Sequence, residues 1–203
     1  MNVKHTRYGD YHTALKSDSS ETVEVSPETE FEYGRIHAFV HDLLDGYDPR
    51  FDQADAVYSE PPWKAGFDKF MSLAGKEGDF NRYLESVRDV CRRFGKPCYL
   101  VCGKAMFRGL DADEYRPVYF SQHGQRVFLA VYNEPSRLEI PSTAEAVDMI
   151  ATRYGCVLDF SCGCAGRFLD SRVPSNFILS DVNPDCIGYI KNKVMEDAQR
   201  WLT

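Results

Sequence analysis

Apolar residues in this chain fall into two kinds of pattern: short unbroken runs, and longer stretches spaced for one face of a helix. The unbroken runs at 54–60, 98–103, 156–160 and 176–181 are too short for helices and read as strands buried on both sides. The first runs straight into Pro61 and Pro62, which end ladder pairing. Between the runs, Tyr83, Leu84, Val87, Val90 and Cys91 share one face of a helix predicted over 80–95, with Gly95 as its stop. Ser142-x-x-Glu145 has capping-box spacing and opens a helix reaching Arg153, and Pro184 opens a closing helix. Ile36, Phe39, Val40, Leu43 and Leu44 recur at helical spacing, so a helix is expected from Phe31 to Leu44, stopped by Gly46. Residues 64–80 carry three glycines and mixed polarity and read as a loop with one or two helical turns. Residues 104–116 are a polar stretch, and 117–121 and 126–132 flank Gly124 as a hairpin. Residues 1–30 are polar, with one short strand-like run at 22–25. Strands that alternate with helices predict an α/β sandwich on a mostly parallel sheet, with the hairpin as its antiparallel edge.

Length and composition narrow the class. At 203 residues and roughly 150 per domain, the expectation is a polar N-terminal segment (1–30) and one domain (31–203). The net charge of −7 means that bulk electrostatics do not attract phosphate, so a nucleic-acid partner requires a local basic patch or a helper subunit. There is no apolar run of ~18 residues and no leader-like start, so neither a membrane span nor secretion is expected. Seven cysteines, mostly in apolar stretches, read as reduced thiols of a cytoplasmic protein.

Two constellations carry chemistry. The first is Asp159-Phe160-Ser161-Cys162-Gly163, a strand ending in an acid and leading through small residues to Gly166 and a short helix. Small residues let a ligand approach the backbone. The next strand ends in Asp181, two residues before Asn183, where an acid can hold the two hydroxyls of a ribose. The second is Glu60-Pro61-Pro62-Trp63 at the end of another strand. Its prolines fix the backbone, its carboxylate and freed carbonyl can accept both hydrogens of an amino group, and Trp63 offers a flat face to a planar ring. Ordinary strand-ending turns remain the alternative for each motif. His37 and His41 lack a third ligand and read as a surface pair, so no metal site is expected. Arg88, Arg92, Arg93 and Lys96 read as a solvated helix face.

Together the constellations resemble the S-adenosylmethionine-dependent amino-methyltransferases in their permuted order, with the catalytic motif first and the cofactor loop near the C-terminus. Glu60-Pro61-Pro62-Trp63 is similar to the Asp-Pro-Pro-Trp form of adenine N6 methyltransferases, and Pro141-Ser142-Thr143 precedes the cofactor loop as in the permuted class of DNA enzymes. The resemblance covers roughly 54–195 and implies a Rossmann-like class I methyltransferase sheet in permuted order. It implies S-adenosyl-L-methionine as cofactor, held by Asp159, Phe160, Ser161, Gly163, Asp181 and Asn183. Glu60 with the Pro61 carbonyl would orient the acceptor amine, and Trp63 would stack on the base. Lys104, Arg108 and Arg116 are the candidate nucleic-acid contacts. The implied reaction is methyl transfer to a nucleobase amine, most of all adenine N6 in DNA, with a protein partner as a candidate source of target recognition. RNA adenine N6 and cytosine N4 are the neighbouring alternatives. A silent, partner-binding subunit is the third, because Glu60 stands where Asp or Asn is usual and Ala165 where the family has a second glycine.

Overall fold

The computed structural model describes the backbone of residues 2–4, 22–24, 26–121 and 124–200. Near the N-terminus, β1 (Asn2–Lys4) pairs antiparallel with β2 (Thr22–Glu24), and the rest of the 1–25 segment lies outside the described residues. The body is an eight-stranded sheet. Its strands in chain order are β3 (Glu30–Tyr33), β4 (Ile36–Val40), β5 (Ala56–Ser59), β6 (Cys98–Cys102), β7 (Glu114–Phe120), β8 (Gln125–Tyr132), β9 (Cys156–Asp159) and β10 (Asn176–Asp181). In space the order is β3-β4-β10-β9-β5-β6-β8-β7. The five strands from β4 to β6 run parallel, whereas β3 and the β7–β8 hairpin add antiparallel pairs at the two edges. This is a mixed α/β sheet, parallel through its five central strands and antiparallel at both edges.

Side-chain alternation explains why the central strands read as unbroken apolar runs. Ala56 and Tyr58, Tyr99 and Val101, and Phe177 and Leu179 enter one core with helices α4 (Thr143–Arg153), α5 (Gly166–Leu169) and α6 (Pro184–Arg200). Val57, Leu100 and Ile178 enter the other, with α1 (Lys64–Leu73), α2 (Phe80–Phe94) and α3 (Phe107–Leu110). With helices on both sides, both faces of a central strand are mainly apolar.

That same burial overturns the helix expected from Phe31 to Leu44. The segment is a hairpin, turning at Gly34 (φ +58), followed by a 3-10 turn at Leu43–Asp45. Ile36 and Ala38 go to one core and Phe39 to the other, so apolar residues crowd together without helical periodicity. Residues 64–80, expected mostly as loop, contain α1. Phe67 and Met71 are buried one turn apart, Gly66 lies within the helix, and Gly75 (φ +69) follows its C-cap Ala74 and ends it. The polar stretch 104–116 contains α3 and the first residues of β7. The capping box at α4 does not close: the Ser142 hydroxyl donates to the Glu145 carboxylate at 3.2 Å and accepts no N–H from the helix backbone. Among the described residues no helix is long and apolar enough to cross a membrane. The seven cysteines are free thiols, five of them buried.

Candidate functional site

β5 and β9 are neighbouring parallel strands whose onward connections diverge. From β5 the chain passes through α1 and α2 to β6 on one side, and from β9 through α5 to β10 on the other. Such a switch point leaves a crevice beyond the carboxyl ends of the two strands. A cleft of ≈ 620 Å³ opens there, a size that suits a small-molecule ligand. Glu60, Pro61, Pro62 and Trp63 line it from the β5 side, Asp159, Phe160, Ser161 and Gly163 from the β9 side, and Asp181 and Asn183 from β10.

The β9 turn is held by two strand-ending acids, Asp159 of β9 and Asp181 of β10. Asp159 Oδ1 accepts from the Ser161 backbone at 3.0 Å and from the Ser59 hydroxyl at 2.6 Å. Ser59 also exchanges a hydrogen bond with Ser161 Oγ at 2.7 Å, so β5 and the β9 turn are stitched together. Asp181 accepts from the Gly163 N–H at 2.8 Å and the Asn183 N–H at 2.9 Å, which fixes one turn against the next. Gly163 (φ +52) and Ala165 (φ +53) both take left-handed backbone, the second at the cost a side chain incurs there. Burial pushes the Asp159 carboxyl up to about 7, opposed by the Ser59 and Ser161 hydrogen bonds and reinforced by the charges of Glu60 and Asp181. Burial also raises Asp181, against the backbone N–H groups that favour its charge. A cleft floor of reluctant carboxylates favours a cationic or hydroxyl-bearing ligand.

The β5 turn is engaged differently. Glu60 Oε1 lies 2.9 Å from Arg167 Nε and accepts from the Tyr58 hydroxyl at 2.6 Å. Arg167, on α5, also donates to the Thr143 carbonyl at 2.7 Å and to its hydroxyl oxygen at 3.1 Å. The guanidinium therefore bridges the start of α4 to the acidic residue of the turn. Trp63 stacks on Phe120 of β7 with ring centroids 5.9 Å apart and planes at 29°. A side chain at Gly103 would touch the same indole at 4.0 Å.

Lys104, Arg108 and Arg116 are not among the cleft residues. Lys104 sits over the Phe128 ring, Arg108 is exposed on α3, and Arg116 pairs with Glu114 at 2.7 Å and donates to the Leu138 carbonyl. His37 and His41 belong to β4 and the turn after it, not to a helix. They bond Glu30 and the Gly46 carbonyl, each at 2.8 Å. Arg92, Arg93 and Lys96 are more than a solvated face: Arg92 pairs with Asp113, Arg93 covers Tyr47, and Lys96 donates to the Asp52 and Ala54 carbonyls. Sequence reading missed Arg167 and the Ser59 stitch. The only local signal for Arg167 is a lone cation one residue after Gly166, and its partner is 107 positions away (167 − 60).

No family model and no curated protein matches this chain. Among solved structures it is similar to M1.HpyAVI in its complex with SAM, at 12% identity and a TM-score of 0.47, over 78% of this chain and 98% of that one. It is also similar to TTHA0409 of Thermus thermophilus, described as a "Putative DNA Modification Methylase", in its complex with S-adenosyl-L-methionine. There the identity is 11% and the TM-score 0.49, over 81% of this chain and 96% of that one. The chemistry of the cleft stands on its own residues.

Proposed function

We propose that this chain transfers a methyl group from S-adenosyl-L-methionine to the exocyclic amine of a nucleobase, adenine N6 in DNA being the favoured acceptor. One observation carries the reading: the Glu60–Trp63 turn and the Asp159–Gly163 turn, far apart in sequence, face a single cleft at the switch point and are stitched by Ser59. The residues fit the cofactor. Asp181 ends the second strand of the pair, the space beside Gly163 is open to 4 Å, and carboxylates line a cleft of sufficient volume. When bound, the cofactor supplies an electrophilic methyl on a sulfonium. Asp159 and Gly163 would lie against its methionine part and Asp181 and Asn183 against its ribose. The Pro61 carbonyl and Glu60 would take the hydrogens of the acceptor amine, whose lone pair is otherwise delocalised into the ring. Positioning of this kind needs no covalent intermediate. For a duplex target the base must leave the stack.

The test is calorimetric titration with S-adenosyl-L-methionine, followed by transfer of a labelled methyl group to DNA and to RNA. Binding with label in DNA adenine is expected, and Glu60→Ala should abolish transfer while leaving cofactor affinity nearly unchanged. Label in RNA or on cytosine N4 would move the acceptor; no cofactor binding would overturn the reading. A second reading, a silent subunit that binds a partner, has its own observation: Arg167 and Tyr58 engage Glu60, and Phe120 covers Trp63. Binding without transfer to any nucleic acid is its signature.

A further inference from the structure

We infer that Arg167 is a positioning residue of methyl transfer, fixing the Glu60 carboxylate as an anion at the acceptor side of the cleft. The inference rests on the methyl-transfer reading above and adds a residue outside both motifs. A glutamate head swings about three side-chain bonds, and each must be fixed before the carboxylate can make a defined hydrogen bond. Two donors fix this one: Arg167 Nε lies 2.9 Å from Oε1, and the Tyr58 hydroxyl donates to the same oxygen at 2.6 Å. The guanidinium is itself anchored, because its other two nitrogens donate to Thr143, to the carbonyl at 2.7 Å and to the hydroxyl oxygen at 3.1 Å. Thr143 is fully buried, and its hydroxyl oxygen also accepts from the Ser121 N–H at 3.3 Å. Ser121 follows Phe120, the residue stacked on Trp63. The Glu60–Trp63 turn is thus tied to the end of β7 twice, by the ring stack and by the chain Glu60–Arg167–Thr143–Ser121.

The ion pair does not seal the carboxylate off. The Glu60 side chain is 24% exposed and lines the cleft. An ionised carboxylate accepts at about four sites, more than the two donors on Oε1 fill, and only the ionised form accepts on both oxygens. The charges around it decide that form. Asp159 of β9 repels a second negative charge, and Tyr58 of β5 stays protonated under burial and donates. Arg167 of α5 supplies the cation that offsets Asp159. Its guanidinium acts on the acceptor through Glu60, although its helix begins next to the cofactor turn.

The experiment compares Arg167→Met, Arg167→Lys and Thr143→Val with wild type in the full chain. Transfer of a labelled methyl group from S-adenosyl-L-methionine is followed across the neutral pH range, at a temperature where each variant is folded. The acceptors are a random-sequence single-stranded DNA and an RNA of the same composition. For Arg167→Met, kcat should fall about 10-fold to 100-fold while KM for the cofactor stays within about twofold. Its acid limb of kcat should move to higher pH, because loss of a neighbouring cation favours the neutral carboxyl. Arg167→Lys keeps the charge and loses the fork, so kcat falls while the acid limb stays in its wild-type place. Thr143→Val keeps the pair to Glu60 and removes the hydroxyl link, and should lower kcat by a smaller factor with cofactor KM kept. A kcat for Arg167→Met within about threefold of wild type would overturn the inference. A loss carried by cofactor KM would overturn it too, placing Arg167 on the cofactor, and an unmoved acid limb would overturn the charge assignment. Should Arg167→Met fail to fold, the other two variants decide, and wild-type kcat in both would overturn it. A wild type that labels neither polymer sinks the methyl-transfer reading itself and takes this inference with it.

Discussion

The two turns that face each other across the cleft are built on opposite plans. The β9 turn has its backbone held by carboxylates: Asp159 accepts the Ser161 N–H, and Asp181 of the next strand accepts those of Gly163 and Asn183, so the loop is shaped before any ligand arrives. The β5 turn is shaped by prolines instead, and its functional side chains are occupied: Glu60 by Tyr58 of its own strand and by the distant Arg167, and Trp63 by the distant Phe120. A motif whose geometry comes from local hydrogen bonds can be judged by its own residues. A motif whose side chains are held by distant partners cannot, because the partners decide what its groups are still able to do.

The largest effect should come from breaking the self-built side. Asp181→Ala removes the acceptor for two turn amides and the expected ribose contact. S-adenosyl-L-methionine affinity should fall roughly 100-fold by calorimetry, and an affinity within threefold of wild type would break the contrast. On the other side, Arg167→Ala leaves the Glu60 carboxylate without its cation. The side chains are 20% and 24% exposed, so solvent offsets part of the loss. A destabilisation of ~2 kcal/mol is expected in urea unfolding. In a double-mutant cycle, Glu60→Gln should cost less in the Arg167→Ala background than in wild type.

Asp159 gives the comparison a pH axis. Its folded pKa, about 7, lies above the ordinary value of 3.8, so the native state holds a proton that the unfolded state has released between those values. Stability therefore falls as pH rises through that window and stays lower above it. Asp159→Asn should be more stable than wild type at pH 8, by ~2 kcal/mol, with the gap closing toward pH 4 in denaturant titrations. A gap that widens in acid would mean that the carboxylate is better stabilised than its burial implies. The smallest effect sharpens the backbone argument. Gly163→Ala adds a methyl group that meets nothing within 4 Å, so its cost is the left-handed backbone alone. About 1 kcal/mol is expected in urea unfolding.

Much of the sheet was legible in the chain. Strands at 56–59, 98–102, 156–159 and 176–181 announce themselves because burial on both faces keeps them largely apolar, with acids only at the carboxyl ends of β9 and β10. The same property misled at 36–40: an edge-proximal strand with Phe39 and Val40 entering opposite cores has no period, and neighbouring apolar residues filled in a helical one. At 64–80 three glycines suggest a loop, but the helix accommodates Gly66, and Gly75 and Gly78 lie beyond it.

The chain alone picked out the short segments that line the cleft, because strand-ending acids, paired prolines and small residues impose their turns through local sterics and nearby hydrogen bonds. Three-dimensional packing settled the rest. It placed the two turns in one cleft and set Arg167 against Glu60 and Phe120 against Trp63. Contacts between residues tens of positions apart depend on how the sheet is ordered and which face each helix covers, and no local pattern of side chains encodes that.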